Sequence, residues 1–176
     1  MVTLQGDLVI LRELEFKDLT FLYTIENDES LWELSQTKTP FSKDILQKYL
    51  ETAQKNPQKI KQLRLVITSK TNEQPIGFID LFELDSENKR AGVSIVILNS
   101  HRRNGFGKEA LSLLIQYSFN DLGLHQVYSN VLEDNDASIR LFESIGFEKV
   151  GLKKDWRFFK GRYKNEYLFQ LMNHVL

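Results

Sequence analysis

The 176-residue sequence contains no cysteine, and this absence removes several classes of chemistry at once. Disulfide bonds, thiolate metal sites and cysteine nucleophiles are excluded, and a chain without cysteine is typical of a reducing compartment. The first residues lack a basic stretch followed by a long apolar run, so a secretory signal is not predicted. The apolar runs are far shorter than the roughly 20 residues that a membrane-spanning helix needs. We therefore expect a cytoplasmic protein with no membrane partner.

An excess of charge of one sign is also lacking. Lys and Arg number 23 and Asp and Glu number 24, which gives a formal net charge of −1. We expect no nucleic-acid partner, because no overall positive field is present to hold a phosphate backbone. The three histidines (His101, His125 and His174) do not have the spacing of metal ligands, and we predict no metal site.

Apolar residues make up 41% of the chain, and twelve Phe, six Tyr and two Trp supply large side chains for a core. We expect residues 1–176 to form a single domain. Branched and alternating apolar residues predict strands at 8–11, 63–68, 75–84, 91–98, 126–132, 147–156 and 163–173. Helical spacing predicts helices after Asp18 and Ser42, which can cap them, and over 105–120 and 135–145. This order predicts a mixed α/β (α+β) fold, with one sheet and helices on both faces.

The most informative local feature is the junction between the strand at 91–98 and the helix that begins near Gly105. A helix N-terminus leaves backbone N–H groups unpaired and carries partial positive charge, so it favours an anion. Gly105 and Gly107 have no Cβ and let a phosphate approach the backbone closely. Formal positive charge is added by Arg102, Arg103 and Lys108. We predict a diphosphate-binding loop, with a tight turn carrying a solvated basic rim as the alternative.

The spacing Arg102-x-x-Gly105-x-Gly107 resembles the pyrophosphate signature of the GNAT (Gcn5-related) N-acetyltransferase superfamily. Residues 130–147 look like the second motif of that family, a strand end followed by N-x-x-S and an aromatic residue before Gly-Phe. Residues 11–14 and 159–163 are similar to the beginning and the final hairpin of the RimJ/RimL-type branch. The resemblance covers nearly the whole chain in the right order.

The resemblance implies a mostly antiparallel mixed sheet of about seven strands with a splayed central pair. In the family, the strand matching 91–98 separates from the strand matching 126–132, and the pantetheine arm of acetyl-CoA lies in the gap. Acetyl-CoA would be the co-substrate, and a primary amine would attack the thioester directly. The absence of cysteine does not weaken this interpretation, because no enzyme nucleophile is needed.

The resemblance also assigns cofactor contacts to three groups of residues. Main-chain hydrogen bonds along the splayed strand would come from Ile95, Val96 and Ile97. The pyrophosphate would be wrapped by Arg102, Arg103, Asn104, Gly105, Phe106, Gly107 and Lys108. The second motif would contribute Asn130, Asn135, Ser138 and Phe142. Asn135 can equally serve as the N-cap of its helix.

The groups that move protons are harder to identify. Many family members have a tyrosine acid where Phe142 stands, and some relatives have a glutamate where Gly92 stands. As candidate bases we name Asp80 and Glu83, which strict strand alternation puts on opposite faces, and Ser94 as a hydroxyl that could hold water. Either carboxylate can also be explained as a solvated or paired surface group. The remaining phenols (Tyr128, Tyr163 and Tyr167) are expected to be packing residues.

Two functional hypotheses follow. The first is acetyl transfer to a primary amine, which could be a polyamine, an amino sugar, an amino acid or a protein N-terminus. The second is a GNAT-fold protein that binds CoA with little turnover, because both usual catalytic side chains are replaced. A cationic acceptor would be favoured if an early acidic group faces the site, namely Glu26, Asp28, Glu29 and Glu33. The expected partner is this small-molecule or peptide amine, and the expected assembly is a monomer or a homodimer.

Overall fold

The computed structural model describes residues 2–55 and 61–174. The strands in these ranges are β1 Thr3–Gln5, β2 Val9–Glu13, β3 Leu63–Ser69, β4 Pro75–Asp85, β5 Arg90–Ile97, β6 Gln126–Leu132, β7 Glu148–Phe159 and β8 Arg162–Met172. The α-helices are α1 Leu19–Glu26, α2 Trp32–Ser35, α3 Lys43–Lys55, α4 Phe106–Asn120 and α5 Asp136–Glu143. No helix in the described ranges is long and apolar enough to cross a bilayer.

The strands form one sheet in the order β1-β2-β3-β4-β5-β6-β8-β7. The β5–β6 pair is parallel, and the other neighbouring strands are antiparallel. The predicted mixed, mostly antiparallel sheet is therefore confirmed, with eight strands in the described residues where about seven were expected. Three residues give β1 too little sequence to display the alternation of a strand, so a pattern-based prediction misses it.

Helices cover both faces of the sheet, as the sequence predicts. On one face, α4 buries Ala110, Leu111 and Leu114 in a cluster with the central strands. On the other face, α1 and α3 bury Leu22 and Leu50 in a second cluster that includes Val66 and Phe78. We call these surfaces the α4 face and the α1–α3 face.

Two expectations about the first helices are corrected. Asp18 precedes α1 but makes no side-chain capping bond to it. Its buried carboxylate instead accepts hydrogen bonds from Arg12 at 2.7 and 2.8 Å and from the Glu15 N–H at 2.8 Å. In α3, Ser42 Oγ does accept from the Ile45 N–H at 3.3 Å, as expected of a cap. The helical spacing of apolar residues after Ser42 would place Ile45 on the buried stripe with Leu46 and Leu50, but the Ile45 side chain is 55% exposed, because Leu46 and Leu50 form the face that meets the sheet.

The central strands β5 and β6 separate after a short paired stretch. Their register runs from Arg90↔Gln126 to Gly92↔Tyr128 and stops there, whereas β5 stays paired with β4 as far as Ile97. Just past the last pair, the Ser129 hydroxyl donates to the Val93 carbonyl at 2.9 Å. The gap beyond this point extends along β5 for about 16 Å, at roughly 3.3 Å for each of five residue steps. The splayed central pair is therefore present.

Candidate active site

The gap between β5 and β6 exposes main-chain groups of β5. The Leu98 N–H donates to the Ile76 carbonyl of β4 at 2.9 Å, and the Val93 carbonyl is directed at β6. Because successive residues of a strand direct their main-chain groups to alternate sides, Ile95 directs its N–H and C=O into the gap. Val96 directs its main chain to β4, where it lies opposite Phe78. An extended arm in the gap would therefore find its first hydrogen-bond partners on Ile95.

Ile97 also lies on the side of β5 that faces the gap, but its carbonyl is already occupied. Arg102 Nε donates to this oxygen at 2.9 Å, which folds the Arg102 side chain back over the strand end. The guanidinium is thus held beside the mouth of the gap. Arg102 thereby fixes the loop to β5 and also contributes positive charge at the predicted diphosphate site.

The loop at the mouth of the gap has the conformation of an anion-binding helix start. Arg103 and Gly105 both have positive φ, at 64° and 83°. Gly105 is the N-cap of α4, and the first backbone bond of the helix joins the Glu109 N–H to the Gly105 carbonyl at 3.1 Å. The N–H groups of Phe106, Gly107 and Lys108 precede that bond. These amides, with the positive end of the helix dipole, can hold a phosphate group.

The first turn of α4 faces the gap at Gly107. A Cβ built on Gly107 would lie 3.7 Å from Leu141, 3.8 Å from Ile97 and 3.9 Å from Ile95. These are ordinary contact distances, so the protein itself does not require glycine at this position. The open backbone of Gly107 therefore lies between β5 and α5, where a ligand can approach it.

Glu109 fixes this first turn to the distant end of the sheet. Its carboxylate accepts hydrogen bonds from the N–H groups of Asp7, Leu8 and Val9 at 2.9, 2.8 and 2.8 Å. A Cβ at Gly6 would lie 2.4 Å from the same carboxylate, so a side chain there would displace Glu109 from these hydrogen bonds. The sequence offered no signal for this contact, because the partners are about 100 residues apart. We call these three hydrogen bonds the Glu109 clamp. The clamp also directs the negative charge of Glu109 away from the predicted diphosphate site.

The residues of the second motif have different structural roles. Asn135 Oδ1 accepts from the Ser138 N–H at 3.2 Å, so Asn135 acts as the N-cap of α5. Asn130 accepts from Lys153 Nζ at 2.8 Å. Phe142 is only 3% exposed and packs edge-on against Phe147 with ring centres 5.0 Å apart. Phe142 is therefore part of the core next to the gap, and its contact with the cofactor stays a prediction.

Asp80 lies in a buried ion pair on the α1–α3 face. It is 5% exposed and accepts from Arg64 Nε at 2.6 Å, while Arg64 Nη1 donates to Glu26 at 2.6 Å. Burial alone would lower the pKa of the Arg64 guanidinium, but the charge of Asp80 raises the pKa above its ordinary value. The Ser94 hydroxyl also donates to Asp80, at 3.3 Å. The Asp80 carboxylate is thus occupied by Arg64 and Ser94, and it is better placed to orient the Ser94 hydroxyl than to contact an acceptor amine.

Glu83 does not follow the alternation of β4. Its φ of 50° coincides with a register shift between Phe82 and Asp85, and its carboxylate accepts a hydrogen bond from the Tyr128 hydroxyl. The Tyr128 ring packs edge-on against Phe82, with ring centres 5.9 Å apart. The prediction that Asp80 and Glu83 lie on opposite faces is therefore wrong, because the bulge turns Glu83 towards the face that carries Phe82 and Asp80.

Tyr128 was expected to be a packing residue and is the functional candidate that sequence reasoning missed. It lies directly opposite Gly92, at the last pair before the gap. A Cβ on Gly92 would lie 2.3 Å from the Phe82 ring, so Phe82 occupies the space of a side chain at position 92. Register across the sheet would have been the signal for this group, but register cannot be read from local patterns.

A cavity of about 460 Å³ opens beside this group. Its lining includes Glu83, Tyr128, Arg90 and Gln170. Arg90 forms an ion pair with Asp85 at 3.3 Å, and Gln170 donates to Gln126 at 2.8 Å. The cavity therefore has both polar and apolar lining residues, and the Glu83–Tyr128 pair lies in it beside the closed end of the gap.

Two of the four early acidic residues are paired with cations. Glu26 is bound by Arg64, and Glu33 is bound by Lys164 at 2.7 Å. Lys164 also contacts Asp134 at 2.6 Å, and hydrogen bonds to Asp134 and Glu33 raise the pKa of the lysine. Asp28 and Glu29 are not members of any ion pair among the described residues. Within the described part of the chain, no group of three or more His, Asp or Glu residues could hold a metal ion.

Comparison with known proteins matches residues 9–148 to the acetyltransferase (GNAT) domain family. The uncharacterized N-acetyltransferase p20 of Bacillus licheniformis is 29% identical, over 98% of this chain and 97% of its own. Spermidine N-acetyltransferase from Vibrio cholerae in complex with CoA and spermine is 26% identical, with a TM-score of 0.85 over 95% of this chain and 96% of that one. A dodecameric structure of the Vibrio cholerae enzyme is also similar, with 26% identity and a TM-score of 0.78 over 95% of both chains.

Proposed function

The chain belongs to the acetyltransferase (GNAT) family and is an acetyl-CoA-dependent N-acetyltransferase, and we propose how its residues divide the work. The gap between β5 and β6 would hold the pantetheine arm, and the primary amine would approach from the α1–α3 face. The observation that carries this proposal is the main chain of Ile95, which stands open in a gap with a helix N-terminus at its mouth. Acetyl-CoA supplies an activated thioester there.

The diphosphate would be held at the start of α4. The N–H groups of Phe106, Gly107 and Lys108 precede the first helical bond, and the Arg102 guanidinium is held beside them by the Ile97 carbonyl. Arg103, Asn104 and Lys108 have exposed side chains that can adjust to the phosphates. We also assign Asn135 and Ser138 to the cofactor edge of α5, where the cap fixes their positions.

Glu83 is our candidate for the base that takes a proton from the amine. Its carboxylate lines the cavity beside the closed end of the gap and has no cation paired with it among the ion pairs of the described residues. Asp80 would act through Ser94, whose exposed hydroxyl can hold a water molecule next to β5. This division fits the general requirement that a base be ionised and accessible.

The acceptor is a primary amine, whose class we infer from two observations that favour different answers. The solved relative binds spermine, which favours a polyamine. In this chain, however, Glu26 and Glu33 are paired with Arg64 and Lys164, which leaves only Asp28 and Glu29 of the early acidic group to attract a polyamine. Polyamines, amino sugars, amino acids and N-terminal peptides therefore form the panel to screen, by release of the CoA thiol.

A CoA-binding protein with little turnover is the second candidate function. It is favoured by Phe142, which is buried among aromatic rings and cannot donate a proton, and by Gly92, which has no side chain. Turnover on any amine of the panel well above the buffer rate would exclude it. Thiol release no faster than in buffer for the whole panel, with intact acetyl-CoA binding, would favour it.

Calorimetric titration with acetyl-CoA tests the cofactor cleft. Gly105→Glu places a carboxylate at the N-cap of α4, so we expect at least about a 100-fold loss of affinity from repulsion and blocked access. Gly151→Glu is the matched control, because it adds the same charge on β7 where a Cβ at Gly151 has no neighbour within 4 Å. Equal affinities for the two variants would contradict the proposed cleft.

We also propose that residues 1–176 work as a single domain of the RimJ/RimL type in the cytoplasm, as a homodimer or larger assembly. The β7–β8 hairpin presents exposed aromatic rings at the edge of the sheet, namely Trp156, Phe158 and Tyr163. One solved relative is dodecameric, which supports association. Light scattering on the purified protein tests this directly, and a monomer at micromolar concentration would contradict it.

A further inference from the structure

We propose that Tyr128 is a catalytic residue that carries protons between the acetyl-transfer centre and Glu83. This inference rests on the proposed function. It assigns to Tyr128 the proton transfer that the family resemblance gives to two other positions, and in this chain neither of those positions has a suitable side chain. The tyrosine position of the second motif is Phe142, and the glutamate position of the splayed strand is Gly92.

The first argument is the position of Tyr128 in the sheet. Tyr128 lies opposite Gly92 at the last paired residue of β5 and β6, where the gap closes. An arm that enters at the loop and runs along β5 has its reacting end at this closed end. The Tyr128 side chain therefore lies beside the reacting atoms on the α1–α3 face, and the amine would approach from that face.

The second argument is the contact between Tyr128 and Glu83. The phenol donates to the Glu83 carboxylate, which the bulge at φ 50° turns onto this face. Both side chains line the 460 Å³ cavity, so the pair is accessible to an amine. A carboxylate supplied from β4 thus replaces the one that some relatives carry on the splayed strand at position 92.

The third argument is that the pair is held in position. Phe82 fills the space over Gly92 and packs edge-on against the Tyr128 ring at 5.9 Å. The ring therefore has support on one side and the carboxylate at its hydroxyl. Burial first, and then the hydrogen bond and charge of Glu83, raise the pKa of the Tyr128 phenol. The phenol stays protonated between turnovers and can relay a proton without remaining ionised.

The proton transfers balance as follows. The acceptor ammonium gives one proton to the Tyr128 oxygen while the phenol proton passes to the Glu83 carboxylate, which leaves a neutral amine. The amine nitrogen bonds to the thioester carbonyl carbon, and the C–S bond breaks with its electron pair on sulfur. Glu83 then returns its proton through Tyr128 to that sulfur. The second proton of the nitrogen leaves to water, so the products are the amide, the CoA thiol and one proton.

Tyr128→Phe is the direct test, with the best acceptor amine from the panel. The variant keeps the ring against Phe82 and removes only the hydroxyl, so we expect unchanged calorimetric binding of acetyl-CoA and a fall in kcat of about 100-fold. Tyr163→Phe is the matched control, because that phenol is 64% exposed on the far hairpin, and its kcat should equal the wild-type value.

A double-mutant cycle distinguishes a relay from a structural role. Tyr128→Phe and Glu83→Gln should each lower kcat by a similar factor, and the double variant should be no slower than either single one, because both remove the same path.

Two results overturn the proposal. One is a Tyr128→Phe enzyme with wild-type kcat, and the other is additive losses in the double variant. A wild-type protein that binds acetyl-CoA but turns over no amine would contradict the proposed function itself, which separates that failure from a failure of the relay.

Discussion

The two ends of the gap between β5 and β6 are built on different principles. At the open end, the predicted diphosphate site consists mainly of backbone: the first amides of α4, the positive φ of Gly105 and the main chain of Ile95. At the closed end, the chemistry depends on side chains brought together from three strands, namely Glu83, Ser94 and Tyr128. A site made of backbone groups can therefore be recognised from a short stretch of sequence, whereas a site made of side chains from several strands depends on the register across the sheet.

The largest effect is expected from breaking the buried ion pairs at the closed end. Arg64→Met removes the cation that both Asp80 and Glu26 contact at 2.6 Å, and it leaves a buried carboxylate uncompensated. We expect a loss of about 3 kcal/mol in the free energy of unfolding, measured in urea.

Lys17→Met is the control for that variant, because its pair with Glu15 is exposed and should contribute less than about 1 kcal/mol. Equal stabilities of the two variants would show that the closed end does not depend on its buried ion pairs. The contrast between a backbone-built open end and a side-chain-built closed end would then be wrong.

The sequence predicted the open end well because its signals are local. β6 has the predicted bounds, and α4 begins one residue after Gly105, as a glycine N-cap should produce. The closed end could not be predicted, because Glu83 adopts a φ of 50° although no glycine at this position indicates a positive φ. The resulting bulge reverses the strand alternation from which the faces of Asp80 and Glu83 were predicted. Tyr128 is a functional candidate because it lies opposite Gly92, and these two residues are 36 positions apart in the chain (128 − 92).

Acid should weaken the ion pair between Arg12 and Asp18. Burial alone would raise the pKa of Asp18, but hydrogen bonds from Arg12 and the Glu15 N–H, with the charge of Arg12, lower it below the ordinary value. The stability contributed by Asp18 is therefore present above the unfolded carboxyl pKa, and it is lost as pH falls through the lowered folded pKa.

Asp18→Asn tests this sign by urea unfolding. We expect the variant to be less stable than the wild type by about 2 kcal/mol at pH 7. The difference should shrink as pH falls through the lowered folded pKa of Asp18, because the wild-type carboxyl is then also protonated. A difference that stays constant with pH would show that the carboxylate charge is not what stabilises this contact.

A smaller effect should follow from loosening the clamp at the open end. Glu109→Gln keeps the size of the side chain but weakens its hydrogen bonds to the N–H groups of Asp7, Leu8 and Val9. We expect about a 10-fold rise in KM for acetyl-CoA, equivalent to roughly 1.4 kcal/mol, with little change in kcat.

S-acetylpantetheine is the matched substrate for that prediction, because it lacks the diphosphate that the loop would hold. Its KM should be the same for wild type and Glu109→Gln. If the KM values of both substrates rise together, Glu109 supports the whole domain rather than the diphosphate site.

The smallest effect is expected at Gly107. A methyl group there meets its neighbours at 3.7–3.9 Å, and alanine favours a helix by about 1 kcal/mol over glycine. Gly107→Ala should therefore fold with unchanged or slightly raised stability, whereas its KM for acetyl-CoA should rise by about 3-fold, or roughly 0.65 kcal/mol, because the methyl group lies where the ligand would approach the backbone.

Gly105→Ala is its counterpart, because φ of 83° and a Leu8 contact at 3.3 Å both oppose a Cβ. We expect a loss of about 1 kcal/mol in the free energy of unfolding. Identical behaviour of the two alanine variants would mean that the left-handed N-cap does not matter to the open end.

The packing of Phe82 over Gly92 couples two positions on neighbouring strands. A Cβ at position 92 would start 2.3 Å from the Phe82 ring, so a side chain there would have to displace that ring. Because the same ring packs against Tyr128, a substitution at position 92 would also disturb the support of the Tyr128 phenol. A carboxylate can therefore be introduced at position 92 only together with a smaller residue at position 82, and the two substitutions should not be additive.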